Sequence, residues 1–257
     1  MRLRSTVCLL SGFLIGGIVQ AELADQGQSA ARASLLQGVR VIDSGGAPGV
    51  VLCVGSNAFP VVVAECGHAV QAVAAATFYG RGRVLAVGHG SFISPEGFSR
   101  GDTALFMKNA VAWLAQNNKT VAVYKNGDMK KALEGLEGYT LREIPSLDVV
   151  DTFAVLATYP DGLKPDEVEK VRAFVTKGGG LLCAGIGWGW QQVSRGKSLA
   201  TDNLFNALLG PAGLLINSDM AGRTAKDGYL ADHSIPSGLN AVDAVRLASL
   251  GGVADPV

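Results

Sequence analysis

Charged residues are scarce in this 257-residue chain, at 17% of the total, and 22 lysines and arginines balance 22 aspartates and glutamates. A chain without net charge has no overall field to attract nucleic acid or acidic lipid, so we predict no nucleic-acid partner. The apolar fraction of 48% excludes an intrinsically disordered chain. A chain of this length also buries enough surface to fold without disulfide or metal staples.

Histidine and cysteine are also few, with three and four residues. A zinc site needs three or four ligands, and the string Cys66-Gly67-His68 supplies only two, so we predict no metal site. No G-x-G-x-x-G fingerprint for a dinucleotide is present, and we predict no cofactor. No pair of histidines has the H-E-x-x-H spacing of a zinc peptidase, which excludes that activity for these residues.

The longest apolar run lies at the N terminus and is typical of a targeting segment. Arg2 and Arg4 precede an apolar or small stretch over 7–19, and 19–21 (Val-Gln-Ala) fits a signal-peptidase site. The stretch is too short for a comfortable membrane span. We therefore predict a signal peptide over 1–21, a secreted or periplasmic protein, and no stable membrane span after the segment is removed; the alternative is an uncleaved anchor.

Removal of the signal peptide takes Cys8 away and leaves Cys53, Cys66 and Cys183. An odd number of cysteines in an oxidising compartment leaves two arrangements open, namely one disulfide with one free thiol, or three buried thiols. Cys53 and Cys66 are the pair that neighbouring strands would bring together, but the spacing alone does not decide it.

Apolar, β-branched runs dominate the first third of the chain after a lead-in segment over 22–47, whose residues 22–36 are predicted as a loose stretch or a first helix. The runs over 50–54 and 61–65 flank a turn, as do the runs over 73–79 and 84–88. Such pairs are typical of β-hairpins, so we predict two hairpins in this region.

Helices and strands alternate in the rest of the chain. Asp102 or Thr103 is predicted to cap the start of one helix. A second helix is predicted to begin at Pro165 and to end at Gly178. The remaining predicted elements are strands over 121–124, 139–144, 153–159 and 181–186 and helices over 129–136, 203–209 and 241–250. This alternation predicts an α/β fold with a mainly parallel sheet, covered by helices on both faces, and a β-hairpin-rich N-terminal portion.

Four strings carry a resemblance to a known family. They are FPVVVAECG with TFYGRGRVLAVGHGSFI (59–93), LFMKNAVAWLA (105–115), FVTKGGGLLCAGIGWGW (174–190) and NLFNALLGPAGLLI (203–216). In this order they resemble the class I glutamine amidotransferase-like domain found upstream of enhancin-like zinc metallopeptidase domains, as in the TRPM-channel-associated factors. The resemblance covers residues 48–250 and implies a flavodoxin-like three-layer sandwich, a tail or truncated linker over 251–257, and a metallopeptidase domain further along a longer protein.

The same resemblance makes Cys183 a candidate nucleophile, with His89 or His233 as its base. Amidotransferases place the thiol on a strand-to-helix elbow within a G-x-C-x-G string. Here Leu181 replaces the first glycine, the residues after Gly185 do not predict a helix, and the His-x-Glu pair that activates the thiol is absent. A catalytic triad is therefore incomplete, and a buried core thiol is the favoured interpretation of Cys183.

Five residues after predicted strands are candidates for a site. His89 and Ser91 follow a strand and would lie in the crevice that α/β sheets form at their carboxyl ends, although a histidine bonded to its own loop is the favoured alternative for His89. Trp188, Trp190 and Gln191 follow the strand that holds Cys183 and offer flat apolar faces to a sugar or a protein, or else pack against the helices.

These observations predict an exported, non-catalytic, amidotransferase-like accessory domain that binds or positions a partner beside a metallopeptidase domain. The predicted ligand is a glycan or a glycoprotein. Two alternatives remain. One is a thiol-dependent hydrolase or amidotransferase that uses Cys183, and the other is a carbohydrate-binding module that uses Trp188 and Trp190.

Overall fold

The computed structural model describes residues 25–249 and 251, so the predicted signal peptide over 1–21 lies outside the described residues. The first helix, α1, spans 25–35, and a short strand, β1, spans Val41–Ile42. Leu35 and Ile42 are fully buried in a core that also contains residues of the main sheet. The predicted lead-in segment therefore includes a helix that packs on the rest of the domain.

Antiparallel strands form the first half of the sheet. They are β2 (Gly49–Cys53), β3 (Ala58–Cys66), β4 (Ala69–Tyr79) and β5 (Gly82–Val87). The long strand β4 pairs with β3 along one edge and with β2 and β5 along the other.

Of the two predicted hairpins, the one between 73–79 and 84–88 is confirmed as β4 and β5. The one between 50–54 and 61–65 is wrong, because β2 and β3 both pair with β4 rather than with each other. The turn that matters follows β3, where Gly67 takes a φ of +63° and lets the chain reverse directly into β4.

Parallel strands continue the sheet from β5. They are β6 (Thr120–Tyr124), β7 (Thr140–Ile144), β8 (Val155–Thr158) and β9 (Gly180–Ala184). Their order from β5 is β9, β8, β6 and β7, and every one of these pairs is parallel. Strand β10 (Leu214–Met220) adds to β2 at the other side in antiparallel register. The predicted α/β class is thus confirmed, with one large mixed sheet.

Helices connect the strands and lie on both faces of this sheet. They are α2 (Pro95–Phe98), α3 (Thr103–Ala115), α4 (Gly127–Leu133), α5 (Pro165–Thr176), α6 (Gly187–Val193), α7 (Leu199–Asp202), α8 (Leu204–Leu209) and α9 (Ala241–Ser249). A last short strand, β11 (Tyr229–Leu230), pairs with β1. Among the described helices, none has the length and apolar character needed to cross a membrane.

Two cores lie on opposite faces of the sheet because strand side chains alternate. On β9, Leu181 and Cys183 belong to one core, and Leu182 and Ala184 to the other. The core around Leu182 also contains Phe106 and its neighbours on α3, whereas the core around Leu181 also contains the apolar face of α5. Each fully buried side chain of this size contributes roughly 1.5–3 kcal/mol, so the central strands are fixed from both sides.

Candidate functional site

The carboxyl ends of β5, β6, β8 and β9 meet at one edge of the sheet because these strands are parallel. We call this the carboxyl edge and define it by the chain that follows the four strands, at 88–94, 125–128, 159–162 and 185–193, and by the loop over 43–48 that packs against it. Ligands of α/β proteins ordinarily bind at such an edge. His89, Ser91, Trp188, Trp190 and Gln191 all lie there, which makes it the first place to look for a site.

The His89 ring is partly buried and held by its own loop. Its Nδ1 accepts a hydrogen bond from the Ser91 backbone N–H at 2.9 Å, so a neutral ring carries its proton on Nε2. Burial lowers the pKa of His89, which favours this neutral form. The backbone of Gly46 covers the ring, since a Cβ on Gly46 would lie 3.4 Å from its Cε1. His89 therefore presents a hydrogen-bond donor beside the 43–48 loop.

Ser91 contributes its backbone to this arrangement. Its carbonyl accepts a hydrogen bond from Ser94 Oγ at 2.8 Å, which fixes the turn that follows β5. The hydroxyl of Tyr159, at the end of β8, donates to the Gly90 carbonyl at 2.9 Å and ties the two strand ends together. Burial raises the pKa of Tyr159 to about 12, so the hydroxyl stays protonated. The sequence gives Tyr159 only as the last residue of a strand, which is why its role was missed.

The residues after β9 correct a prediction, because they do form a helix. Strand β9 turns at Gly185 and Ile186 into α6, which begins at Gly187. The chain thus makes a strand-to-helix elbow, with glycines at 185, 187 and 189. A Cβ on Gly187 would lie only 1.8 Å from the carbonyl oxygen of Asn217 on β10. No side chain, and hence no nucleophile, fits at this elbow.

Cys183 lies before this elbow, inside strand β9, and has no exposed surface. Its Sγ is 3.8 Å from the Leu85 carbonyl of the adjacent strand. Burial raises the pKa of the thiol, so it stays protonated, whereas a nucleophilic cysteine needs an exposed thiolate. The geometry gives the catalytic interpretation of Cys183 no support, because the sulfur lies among core side chains.

The two tryptophans of α6 point in different directions because they are two residues apart on a helix. The indole N–H of Trp188 donates to the Ala47 carbonyl at 3.2 Å, and Trp190 packs against the core that contains Cys183. Both rings are partly buried, so they do not form a single aromatic platform. Gln191 and Val193 are exposed, the valine to 83%.

The 43–48 loop is anchored by a buried carboxylate. The side chain of Asp43 is 5% exposed, and its oxygens lie 3.4 Å from Arg100 and 3.2 Å from Arg223. A buried carboxylate is stable only when its charge is paired, so these two arginines hold the loop over His89. Sequence reasoning missed this anchor, since Asp43, Arg100 and Arg223 are far apart in the chain.

The remaining candidates contribute no site of their own. Cys53, Cys66 and Cys183 are all free thiols, so the disulfide between Cys53 and Cys66 is not formed. Across the part of the chain that the structure describes, no three acidic, histidine or cysteine side chains cluster closely enough to hold a metal ion. His233 follows β11, and its Nδ1 lies 3.0 Å from the Ser234 carbonyl.

Curated relatives are longer proteins with related sequences. The TRPM8 channel-associated factor homolog of Danio rerio is 28% identical over 207 residues, covering 79% of this chain and 21% of the relative. TRPM8 channel-associated factor 2 of Homo sapiens is 34% identical over 168 residues, covering 63% and 17%. This chain thus spans about a fifth of the length of the relatives it matches.

Solved structures show the same fold at low sequence identity. The IMPa metallopeptidase from Pseudomonas aeruginosa aligns with a TM-score of 0.59 at 20% identity, over 79% of this chain and 24% of that one. IMPa in complex with an O-glycopeptide aligns with a TM-score of 0.61 at 20% identity, over 91% and 26%. The family model TCAF_N, described as "TRPM8, N-terminal domain", matches residues 17–230. Because this match covers most of the sequence, the chain belongs to the TRPM8-channel-associated-factor N-terminal domain family.

Proposed function

We propose that this chain is an exported, non-catalytic accessory domain of a channel-associated-factor type of protein, and that it binds a glycosylated partner protein at the carboxyl edge. The observation that carries the proposal is the glycine at the elbow. If this elbow corresponds to the G-x-C-x-G elbow of amidotransferases, Gly187 takes the position of their thiol, and the Asn217 carbonyl fills the space that a side chain would need. A scaffold with this elbow can bind at its carboxyl edge but has no nucleophile there.

The names of the similar proteins support the choice of partner. The curated relatives are called TRPM8 channel-associated factors, and IMPa was solved in complex with T-antigen and with an O-glycopeptide. A glycosylated membrane protein would be a partner that is both embedded in the membrane, like a channel, and a carrier of glycans. In this proposal the partner contacts α6, where Trp188, Gln191 and Val193 offer aromatic, amide and apolar surface beside the His89 donor.

Two finer points belong to the same proposal. The sheet and its two helical layers would be a flavodoxin-like amidotransferase sandwich that has lost its catalytic residues, which fits the elbow geometry. A metallopeptidase domain would lie in the rest of a longer protein, which fits the similarity to IMPa over a quarter of that chain. Export through the signal peptide over 1–21 would bring the domain to the side of the membrane that carries glycans.

Binding to an O-glycopeptide tests the proposed surface. Trp188→Ala should weaken binding at least tenfold because an aromatic anchor is lost, and Gln191→Ala should weaken it a few-fold. Gln37→Ala, an exposed glutamine after α1, is the matched control and should bind like the wild type. Isothermal titration calorimetry measures the affinities. Wild-type affinity in a folded Trp188→Ala variant would remove the carboxyl edge from the proposal.

An activity assay tests the absence of catalysis. The wild-type chain and Cys183→Ala should both show no glutaminase or esterase activity and should bind the glycopeptide equally well. The substitution should lower the free energy of unfolding by about 1 kcal/mol, since it leaves a small cavity in the core. Activity that disappears in Cys183→Ala would establish the hydrolase alternative instead.

A further inference from the structure

A groove of about 610 Å³ lies at the opposite end of the parallel strands from the carboxyl edge. Three segments line it, namely the end of α3 and the turn after it (114–118), the residues before β8 (151–154) and the turn between α5 and β9 (177–179), together with Phe174 of α5. We call it the amino-edge groove. Its volume lies within the roughly 300–1,000 Å³ range of small-ligand sites. Neither the proposed function nor any candidate residue of the sequence analysis uses it.

Amide side chains line one side of the groove. Gln116, Asn117 and Asn118 are consecutive and exposed. Asn118 Oδ1 accepts hydrogen bonds from the backbone N–H and the hydroxyl of Thr120, at 3.2 and 3.0 Å, which orients its amide. Within the described part of the chain, Gln116 and Asn117 make no side-chain hydrogen bond, so both can donate to and accept from a ligand.

The backbone of Gln116 is strained. Its φ of 54° and ψ of −107° place a non-glycine residue in a conformation that L-amino acids rarely adopt. Such strain costs roughly 1–3 kcal/mol and is concentrated at functional sites. Glycine would remove the strain, yet this position carries a glutamine whose amide lies at the groove.

Aromatic residues and glycines line the other side of the groove. Phe153 is partly buried and lines the groove, and Gly178 and Gly179 leave their backbone open to it. Gly179 must lack a side chain, because a Cβ there would lie 2.4 Å from the Phe174 ring. Phe174 also lines the groove but is only 3% exposed, so a ligand at this position would meet the Phe153 ring and bare peptide groups.

Charge in the groove is cancelled. Lys177 and Asp151 line it together, and their Nζ and Oδ2 atoms are 3.2 Å apart. These two exposed side chains carry opposite charges, so the groove has no excess of either sign that would select a charged ligand. Leu114 and Phe174 line the groove but are 1% and 3% exposed, so the accessible apolar surface is mainly the Phe153 ring, which is too little for a lipid chain. Amide donors and acceptors beside one aromatic ring suit a ligand with many hydroxyl groups and a flat apolar face.

We propose that the amino-edge groove binds a neutral oligosaccharide, with Gln116 and Asn117 hydrogen-bonding to sugar hydroxyls and Phe153 packing against a sugar ring. This inference names a second binding site and goes beyond the proposed function, which places a protein partner at the carboxyl edge. The two are independent, since the groove and α6 lie at opposite ends of the sheet.

An array of neutral and charged oligosaccharides, probed with the full chain, tests the inference. We expect the chain to bind neutral glycans. Asn117→Asp, which keeps the shape but removes an amide donor, and Gln116→Ala should each reduce the signal at least fivefold. Asn57→Asp is the matched control at an exposed asparagine outside the groove and should leave the signal unchanged. Thermal melting of each variant confirms that it is folded.

The outcomes separate the two proposals. Neutral-glycan binding that is lost in Asn117→Asp and kept in Trp188→Ala supports the groove, whatever happens at the carboxyl edge. Binding lost only in Trp188→Ala overturns the groove and supports a sugar site on α6. The groove is also overturned if no neutral glycan is retained, or if an unglycosylated peptide competes as well as the sugar does.

Discussion

The two edges of the parallel strands differ in how tightly their loops are packed. At the carboxyl edge, the Gly49 N–H donates to the Gly88 carbonyl at 2.8 Å, and a Cβ on Gly88 would lie 1.9 Å from the Gly49 oxygen. At the amino edge, three exposed amides border an open groove. At the usual ligand edge of an α/β sheet, backbone here fills the crevice and leaves an outer surface for a partner, whereas the other end keeps a concave groove.

Gly187→Ala should give the largest effect, because the carboxyl edge has no room for a methyl group at the elbow. The added Cβ would lie 1.8 Å from a backbone oxygen, so α6 or β10 must move. We expect the free energy of unfolding to fall by about 3 kcal/mol or more in urea denaturation. Gly127→Ala, at a helical glycine with no atom within 4 Å, should be neutral or slightly stabilising. Equal stability of the two variants would contradict a closed elbow.

Asn206→Ala should loosen the strand that closes this edge. The Asn206 amide donates to the carbonyls of Leu199 and Ile216, at 2.9 and 3.0 Å, and accepts from the Ile216 N–H at 2.8 Å. The side chain thus pairs the backbone N–H and carbonyl of Ile216 on the edge of β10 that no other described strand covers. Without it, these buried backbone groups lose their hydrogen-bond partner. We expect the free energy of unfolding to fall by about 2–3 kcal/mol in urea denaturation. For the exposed Asn57→Ala it should fall by no more than about 0.5 kcal/mol.

Glu167 makes the carboxyl edge sensitive to acid. Burial alone would raise its pKa, but hydrogen bonds from the Tyr124 hydroxyl, at 2.6 Å, and from Lys125, at 2.9 Å, outweigh burial and lower the pKa from 4.5 to about 2. The ionised carboxylate therefore stabilises the folded state fully above about pH 4.5, and this stabilisation is lost as the pH falls toward 2.

Glu167→Gln should accordingly lower the free energy of unfolding by about 2 kcal/mol at neutral pH, and the difference from the wild type should shrink between pH 4.5 and 2. The exposed Glu169→Gln is the control, because a surface ion pair contributes little. A wild-type advantage that is independent of pH would show that hydrogen bonding by the side chain, rather than its charge, holds α5.

Gln116→Gly should give the smallest effect, with the opposite sign. The substitution relieves a positive φ in an open loop, so we expect the free energy of unfolding to rise by about 0.5–1 kcal/mol. The same variant should bind neutral glycans less well, which would show that the strained Gln116 contributes to binding at the amino-edge groove. A destabilised variant would mean that this edge is packed as tightly as the other, and the contrast between the edges would be lost.

Local patterns predicted most of the fold. Asp102, Pro165 and Asn203 mark the starts of helices where the structure has them, and the β4–β5 hairpin follows from two apolar runs around a glycine turn. The pairing of β2 could not be predicted, because its partners β4 and β10 depend on long-range packing. Helix α6 was also missed, since its glycines oppose helix formation and its tertiary contacts, mainly with β10, compensate.

The site was harder to predict than the fold. His89, Ser91 and the α6 residues lie together at the carboxyl edge, because residues that follow parallel strands lie at that end of the sheet. Their roles depend on neighbours distant in sequence, such as Gly46 against His89 and Ala47 against Trp188. The amino-edge groove has no sequence signature, because Gln116, Phe153 and Gly179 are ordinary loop residues until the fold brings them together.

The parallel pairing of β5 with β9 has a consequence for how the protein assembles. Leu85 and Cys183, which meet across this pair, are 98 residues apart in the chain, whereas β3, β4 and β5 follow one another with short turns. Contacts between near neighbours form faster than contacts that close long loops. The antiparallel meander can therefore form before β9 joins it, and the finished meander then offers β5 as a template for β9, the last of the four parallel strands in the chain.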